Sequence, residues 1–340
     1  MQEYTVAVVG IGMVGGEMLK VLRQQNFPAK EFRVMATRAR KEVVHGYEYD
    51  VIPASADAFD GVDFAFFAGT EGAKGASQQY GWAAVERGCV VIDNGDDFRM
   101  DERVPLVVPE VNPEHLKRHN GFVANPNCST IQMVVALAPL HRRARIKRVV
   151  VSTYQAVSGT GRAAVAELER QARDYAAGNE MKNEVYPHRI AFNCIPQVSS
   201  LKDAFPGYYG EEIKMIREPR KMFDDPDMAI TATCVRVPVF KSHSEAVNVQ
   251  FEEKLTAEEA REILSNAPGV TVVDDPGNSV YPLAIDAAEK DDVFVGRIRQ
   301  DTSAENCIDF WCVSDNIRKG AALNAVQIAE KMIEMGLVKK

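Results

Sequence analysis

A chain of 340 residues, 46% apolar and 26% charged, has the make-up of an ordinary globular protein long enough for two domains. Its net charge of −8, with no basic stretch, speaks against nucleic acid as a partner, and no run of about 18 apolar residues is present to form a transmembrane helix. Six cysteines (Cys89, Cys128, Cys194, Cys234, Cys307 and Cys312) lack CxxC pairing or zinc-like spacing. With a first strand that starts at once in "MQEYTVAVVG" and no signal-peptide pattern, they predict a cytoplasmic protein without disulfides or a metal site.

Through residue 125 the chain alternates strand and helix patterns. "TVAVVGIG" is a buried strand that ends in glycines, and "GGEMLKVLRQQ" puts Met18, Leu19 and Leu22 on one helical face. "FRVMATR" and "VDFAFFAG" are strands; the helix "GASQQYGWAAVERG" leads into another, "CVVIDN", and "VPLVVPEVN" follows. This rhythm predicts an α/β fold with a doubly wound, parallel, Rossmann-type sheet. From Cys128 the pattern changes. A helix through "IQMVVALAPLHRRA" precedes the strands "IKRVVVSTYQAV", "ITATCVRVPVF", "EAVNVQFEE", "VTVVDD", "VFVGRIRQD" and "CIDFWCVSD". Their apolar–polar alternation suits a mixed sheet covered on one face, in an α+β domain. The segment Gly161 to Arg220, rich in charge and proline, interrupts them. The closing helix "KGAALNAVQIAEKMIEM" has small residues suited to close packing against the first domain, so the expected division is 1–127 with 319–340, and 128–318.

Gly10-x-Gly12-x-x-Gly15, with Met13 and Val14 inside it, lies between a strand and a helix. There glycines permit a tight turn and close approach to a dinucleotide pyrophosphate; a plain strand–helix turn is the alternative. The next strand ends in Thr37, Arg38 and Arg40 where an NAD site carries an acid, which favours the 2′-phosphate of NADP over a merely solvated basic loop. In "ANPNCST" a turn and a helix start would aim backbone N–H groups at Cys128 and favour its thiolate; otherwise it is one more small buried side chain. Arg236 in an apolar strand calls for an anion, and its fork suits a carboxylate. His243 is a candidate acid–base group or ordinary surface. On an unbroken strand these two would face opposite sides, but Pro238 and "KSHS" imply a bend. Arg99 in "DNGDDFRMD", and Glu211, Glu212 and Lys214 opening a helix, offer further polar contacts or a solvated surface.

At these residues the sequence resembles the aspartate-semialdehyde dehydrogenase family along essentially its whole length. The likeness runs through "VIDN…FRMD", "NPNCST", "TYQAVSGTG", "EEIKM", "CVRVPV…HSEAV", "DDVFVGRIR" and "VSDN…KGAALNAVQIAE". It implies a cofactor domain followed by a catalytic and dimerisation domain, an NADP-dependent reduction of L-aspartyl-4-phosphate to the semialdehyde, and a homodimer. By position it makes Cys128 the nucleophile, Gln155 the residue that orients the reacting group, and His243 the acid–base residue that takes the hydroxyl proton in the oxidative direction. It sets Arg236 on the substrate carboxylate and Glu211 on its amino group, and Arg99, Asn127 and Lys214 at phosphate. Thr37, Arg38, Ser158, Gly159 and Asn316 fall near NADP. The sequence departs from the family in three places. The glycine loop is one residue short of the usual G-x-x-G-x-V-G, Asp96 and Asp97 could pair with Arg99, and Pro219 replaces a common threonine. A related acyl-phosphate or acyl-CoA reductase and a catalytically silent paralogue are the competing expectations.

Overall fold

The computed structural model describes residues 2–69 and 75–338. It divides into two compact units, Met1–Asn127 with Ala321–Lys340, and Cys128–Gly320. In the first, the strands are β1 (Tyr4–Val9), β2 (Ala29–Ala36), β3 (Arg40–Val44), β4 (Tyr47–Pro53), β5 (Phe64–Phe67), β6 (Val90–Asp93) and β7 (Phe122–Ala124). They form one sheet in the order β3-β4-β2-β1-β5-β6-β7. Helices α1 (Met13–Gln24) and α2 (Ala76–Glu86) join parallel neighbours, as the doubly wound reading requires.

The sheet is not parallel throughout. β3 pairs antiparallel with β4 across a two-residue turn, His45–Gly46, in which both residues have positive φ (47° and 84°). That turn type matches the twist of paired strands. The segment after "VMATR" is therefore a hairpin on the sheet edge, with Arg40 as its first residue.

The core of this unit runs from Val6 and Val8 of β1 through Met18, Leu19 and Leu22 of α1 to Phe64, Phe66 and Ile92. Val326, Ala329 and Met332 of the closing helix (Leu323–Glu334) join the same cluster. Each fully buried aliphatic or aromatic side chain stabilises the fold by roughly 1.5–3 kcal/mol. Between β1 and α1 the chain turns so sharply that a Cβ on Gly15 would stand 1.8 Å from the Gly10 carbonyl oxygen, while Gly10 itself has φ +95°.

The second unit opens with α3 (Cys128–Ala144) and continues through β8 (Ile146–Gln155), α4 (Arg162–Ala177), α5 (Gly210–Met222), β9 (Ala229–Arg236) and β10 (His243–Phe251). α6 (Ala257–Ser265), β11 (Val270–Val272), β12 (Val293–Gln300) and β13 (Cys307–Ser314) follow. The sheet order is β11-β12-β13-β10-β8-β9, with β8–β9 and β11–β12 parallel and the other pairings antiparallel. Along β10, His243, Glu245, Val247, Val249 and Phe251 are buried, whereas Ala246, Asn248 and Gln250 are half-buried on the opposite face. The buried face is the one α3 packs on, and α3 is buried on nearly every side. The alternation read from the sequence is thus a sheet with one helix-covered face.

Gly15→Ala should lower the unfolding free energy in a denaturant titration by about 3 kcal/mol or more, because the added methyl meets backbone. Gly12→Ala, where nothing lies within 4 Å of the added methyl, should stay within about 0.5 kcal/mol of wild type.

Candidate active site

The site in the second unit is built where three adjacent strands end or begin. β9 stops at Arg236, which pairs in register with Gln155 at the end of β8, and β10 starts at His243. Between them the chain turns through Ser242 at φ +72°, so Arg236 and His243 do not obey the alternation of a continuous strand. Both reach the same peptide group. The Ala156 N–H donates to His243 Nδ1 (3.0 Å), and Arg236 Nη1 donates to the Ala156 carbonyl oxygen (2.5 Å). Gly159 lies against this pair: a Cβ there would come within 2.9 Å of Arg236 Nη1 and 3.3 Å of His243 Nε2.

Gln155 carries the arrangement toward the thiol. Its Nε2 donates to Ser129 Oγ (2.7 Å) and to Glu211 Oε1 (2.9 Å), both buried contacts. Ser129 follows Cys128, the half-buried residue that opens α3. Glu211 and Lys214 sit one turn apart at the start of α5, 3.7 Å from each other. Glu212 serves a different purpose: its carboxylate accepts the N–H groups of Tyr209 (2.8 Å) and Cys234 (3.1 Å), fixing the helix to β9. Ser158 Oγ donates to Asn316 Oδ1 (3.0 Å), which also accepts the Ser242 N–H (3.0 Å). At this site the buried His243 Nε2, Arg236 Nε, Gln155 Oε1 and Asn316 Nδ2 have no hydrogen-bond partner among the described residues. Buried polar groups are ordinarily hydrogen-bonded, so each of these atoms calls for a partner.

Burial, reinforced by the Arg236 charge and opposed by Glu211, pushes the His243 ring down to about 3. The ring is therefore neutral near pH 7. Because Nδ1 accepts from Ala156, its single proton belongs on Nε2. His243 thus presents a donor at Nε2, and accepting a proton there would require the ring to carry its own proton at Nδ1, where the Ala156 N–H already stands.

The remaining predicted residues belong to the first unit. Gly10, Gly12, Met13, Val14 and Gly15 form the turn into α1, whose N-cap is Gly12. Thr37 and Arg38 are exposed just past β2, while Arg40 is engaged by Glu42 (Nε to Oε2, 2.7 Å). Arg99 is buried, with Nε on the Asn125 carbonyl (3.0 Å) and Nη2 on the Asn94 carbonyl (2.7 Å). Asn127 is buried directly before Cys128. Two features escaped the sequence reading. Ala156 acts only through its backbone. Gly320, in a π-helical turn (Arg318–Ala322), lies so near Cys128 that a Cβ there would be 2.9 Å from Cys128 Cβ.

The depressed His243 pKa has a stability consequence with a definite sign. Between about pH 6.5 and 3 the unfolded ring binds a proton that the folded one refuses, so unfolding free energy falls as pH falls through that window. Denaturant titrations from pH 7 to pH 4 should show this slope reduced in His243→Asn.

Residues 5–119 match the family model described as semialdehyde dehydrogenase, NAD binding domain, and residues 137–319 the one described as semialdehyde dehydrogenase, dimerisation domain. The aspartate-semialdehyde dehydrogenase of Aquifex aeolicus is 49% identical, the alignment covering 98% of this chain and 99% of that one. That of Bacillus subtilis is 46% identical over 98% of each. Among solved structures, aspartate semialdehyde dehydrogenase II from Vibrio cholerae, complexed with ASA, superposes with a TM-score of 0.92 at 40% identity, covering 98% of this chain and 99% of that one. With both domain models matched in order and relatives nearly half identical from end to end, the chain belongs to the aspartate-semialdehyde dehydrogenase family and is an oxidoreductase that uses a nicotinamide cofactor.

Proposed function

We propose that the enzyme makes aspartate semialdehyde by NADPH-dependent reduction of L-aspartyl-4-phosphate through an acyl-thioester on Cys128, in the biosynthesis of lysine, threonine and methionine. The observation that carries this reading is the single peptide group of Ala156, which holds a carboxylate-binding arginine and a neutral histidine beside the Gln155–Ser129 link to the thiol.

The turn from Gly10 to Gly15 fits a dinucleotide: the Gly10 carbonyl packs where a side chain on Gly15 would be, and the turn delivers the start of α1. Gly10, Gly12, Met13, Val14 and Gly15 would hold the pyrophosphate, and Thr37 and Arg38 the 2′-phosphate that distinguishes NADP. Arg40 is spoken for by Glu42. Ser158, Gly159 and Asn316, with its unpaired Nδ2, would line the cofactor from the second unit. When bound, the cofactor supplies the hydride.

Cys128 begins a helix, where the positive dipole end favours the thiolate. The thiolate attacks the acyl carbon, a C–S bond forms, and the C–O bond to phosphate breaks. Arg99, Asn127 and Lys214 receive the leaving phosphate. Arg236 holds the substrate α-carboxylate and Glu211 its ammonium, a pairing suited to an amino acid and not to an acyl-CoA. Gln155 orients the acyl group. His243 donates its Nε2–H to the acyl oxygen, which becomes an oxyanion after reduction. That oxyanion collapses to the aldehyde and expels the thiolate, so the oxygen needs a donor more than a full proton. The sheet face that carries the exposed Tyr154 and the half-buried Trp311, whose rings lie 5.3 Å apart, suits a second copy of the chain in a cytoplasmic homodimer.

The test is NADP+ reduction by aspartate semialdehyde with and without phosphate, with NAD+ and with malonyl-CoA as controls. Wild type should require phosphate and prefer NADP+, and Cys128→Ala should lose about 10³-fold or more in kcat. Activity without phosphate, or retained in Cys128→Ala, sinks the reading.

A further inference from the structure

Beneath the site lies an acid that the mechanism does not use. Glu245 is wholly buried on β10, two residues after His243 and on the same face of the strand. Its register neighbours are Cys312 on β13 and Thr153 on β8, and Thr153 in turn pairs with Cys234 on β9. Above it is α3, where Gln132 follows Cys128 by four residues and so lies one turn further along the same helix face. The Gln132 backbone carbonyl accepts from Cys312 Sγ (3.6 Å), which places this turn of α3 on that row of the sheet. The Gln132 amide is close enough to act on the Glu245 carboxyl.

The hydrogen-bonding state of these two side chains is unusual. Both oxygens of Glu245, and both the nitrogen and the oxygen of the Gln132 amide, are buried without a formed hydrogen bond. Among the described residues the charged neighbour that acts on Glu245 is another acid, Glu211 of α5. Burying a bare carboxylate under those conditions costs far more than protonating it. A protonated carboxylic acid and a primary amide are self-complementary: the acid O–H meets the amide oxygen, and the amide N–H meets the acid carbonyl. Four orphaned atoms are thereby satisfied by one proton.

We propose that Glu245 stands in the working enzyme as an uncharged carboxylic acid paired with the Gln132 amide, and that the pair is a positioning element locking the helix that carries Cys128 to the strand that carries His243. The nucleophile is one helical turn from one end of the pair and the histidine one strand repeat from the other. A slip of about 1 Å between reacting groups can cost about a hundredfold in rate. Burial pushes the Glu245 carboxyl well above the usual carboxylate range, in keeping with this state. The groups that face it are Cys312, Thr153, Cys234, Gln132 and Glu211.

The proposal rests on Cys128 and His243 acting together, a point that the Cys128→Ala assay tests separately. Glu245→Gln keeps a neutral donor–acceptor group and should leave kcat within about threefold of wild type with an unchanged pH profile. Glu245→Leu, of similar bulk but unable to pair, should lose about ten- to hundredfold in kcat with little change in KM. Combining Glu245→Leu with Gln132→Leu should be no worse than the poorer single variant, the non-additivity of a shared contact. Difference infrared spectra of wild type minus Glu245→Gln should contain the carbonyl stretch of a protonated carboxylic acid, a readout independent of how well Glu245→Leu folds. The proposal fails if that band is missing, if Glu245→Gln falls as far as Glu245→Leu, or if Glu245→Leu turns over like wild type.

Discussion

The site depends on one peptide group. Ala156 gives its N–H to His243 and takes a hydrogen bond from Arg236, so the two residues are referenced to backbone and not to each other. The strand order makes this possible: β8 lies between β9 and β10, and its end is within reach of both. A hydrogen bond between a charged group and a buried carbonyl contributes roughly 1.5–3 kcal/mol. The Ala156 N–H also selects the histidine tautomer, and the Arg236 charge helps keep the ring neutral. Position and protonation state thus share a cause, and no substitution at residue 156 other than proline deletes a partner of either bond.

Around that peptide the charges are sparse and separated by function. Glu211 and Glu212 are adjacent in sequence, yet one faces Gln155 while the other is consumed in anchoring α5. Helical geometry forces the division, since successive residues point about 100° apart. Lys214 returns to Glu211 one turn later, so the carboxylate that serves the site is held from two directions.

Much of this was legible in the sequence. The glycine turn, the alternating strands and helices of the first unit, and Cys128 at a helix start follow from local rules that tertiary structure did not override. The β3–β4 hairpin was missed because its strands are short and charged, although His45–Gly46 between two period-two runs is a recognisable turn signal. The relative facing of Arg236 and His243 was undecidable because it hangs on a left-handed residue, Ser242, that only the surrounding structure enforces. Ala156 left no trace, because a backbone donor and acceptor exist at every non-proline position. Gly320 looked like a generic small residue; its meaning is the proximity of Cys128, distant in sequence by most of a domain.

The cysteines carry a separate consequence. Cys89, Cys234, Cys307 and Cys312 are buried, and in each burial raises the thiol above its ordinary range. Cys194 is exposed and Cys128 half-buried. A reagent that counts accessible thiols therefore meets two sulfurs in the native chain and six once it opens, since four of six are hidden. The chain reports its own integrity through thiol stoichiometry, and a thiol oxidant that spares the interior meets Cys128 as one of two accessible cysteines.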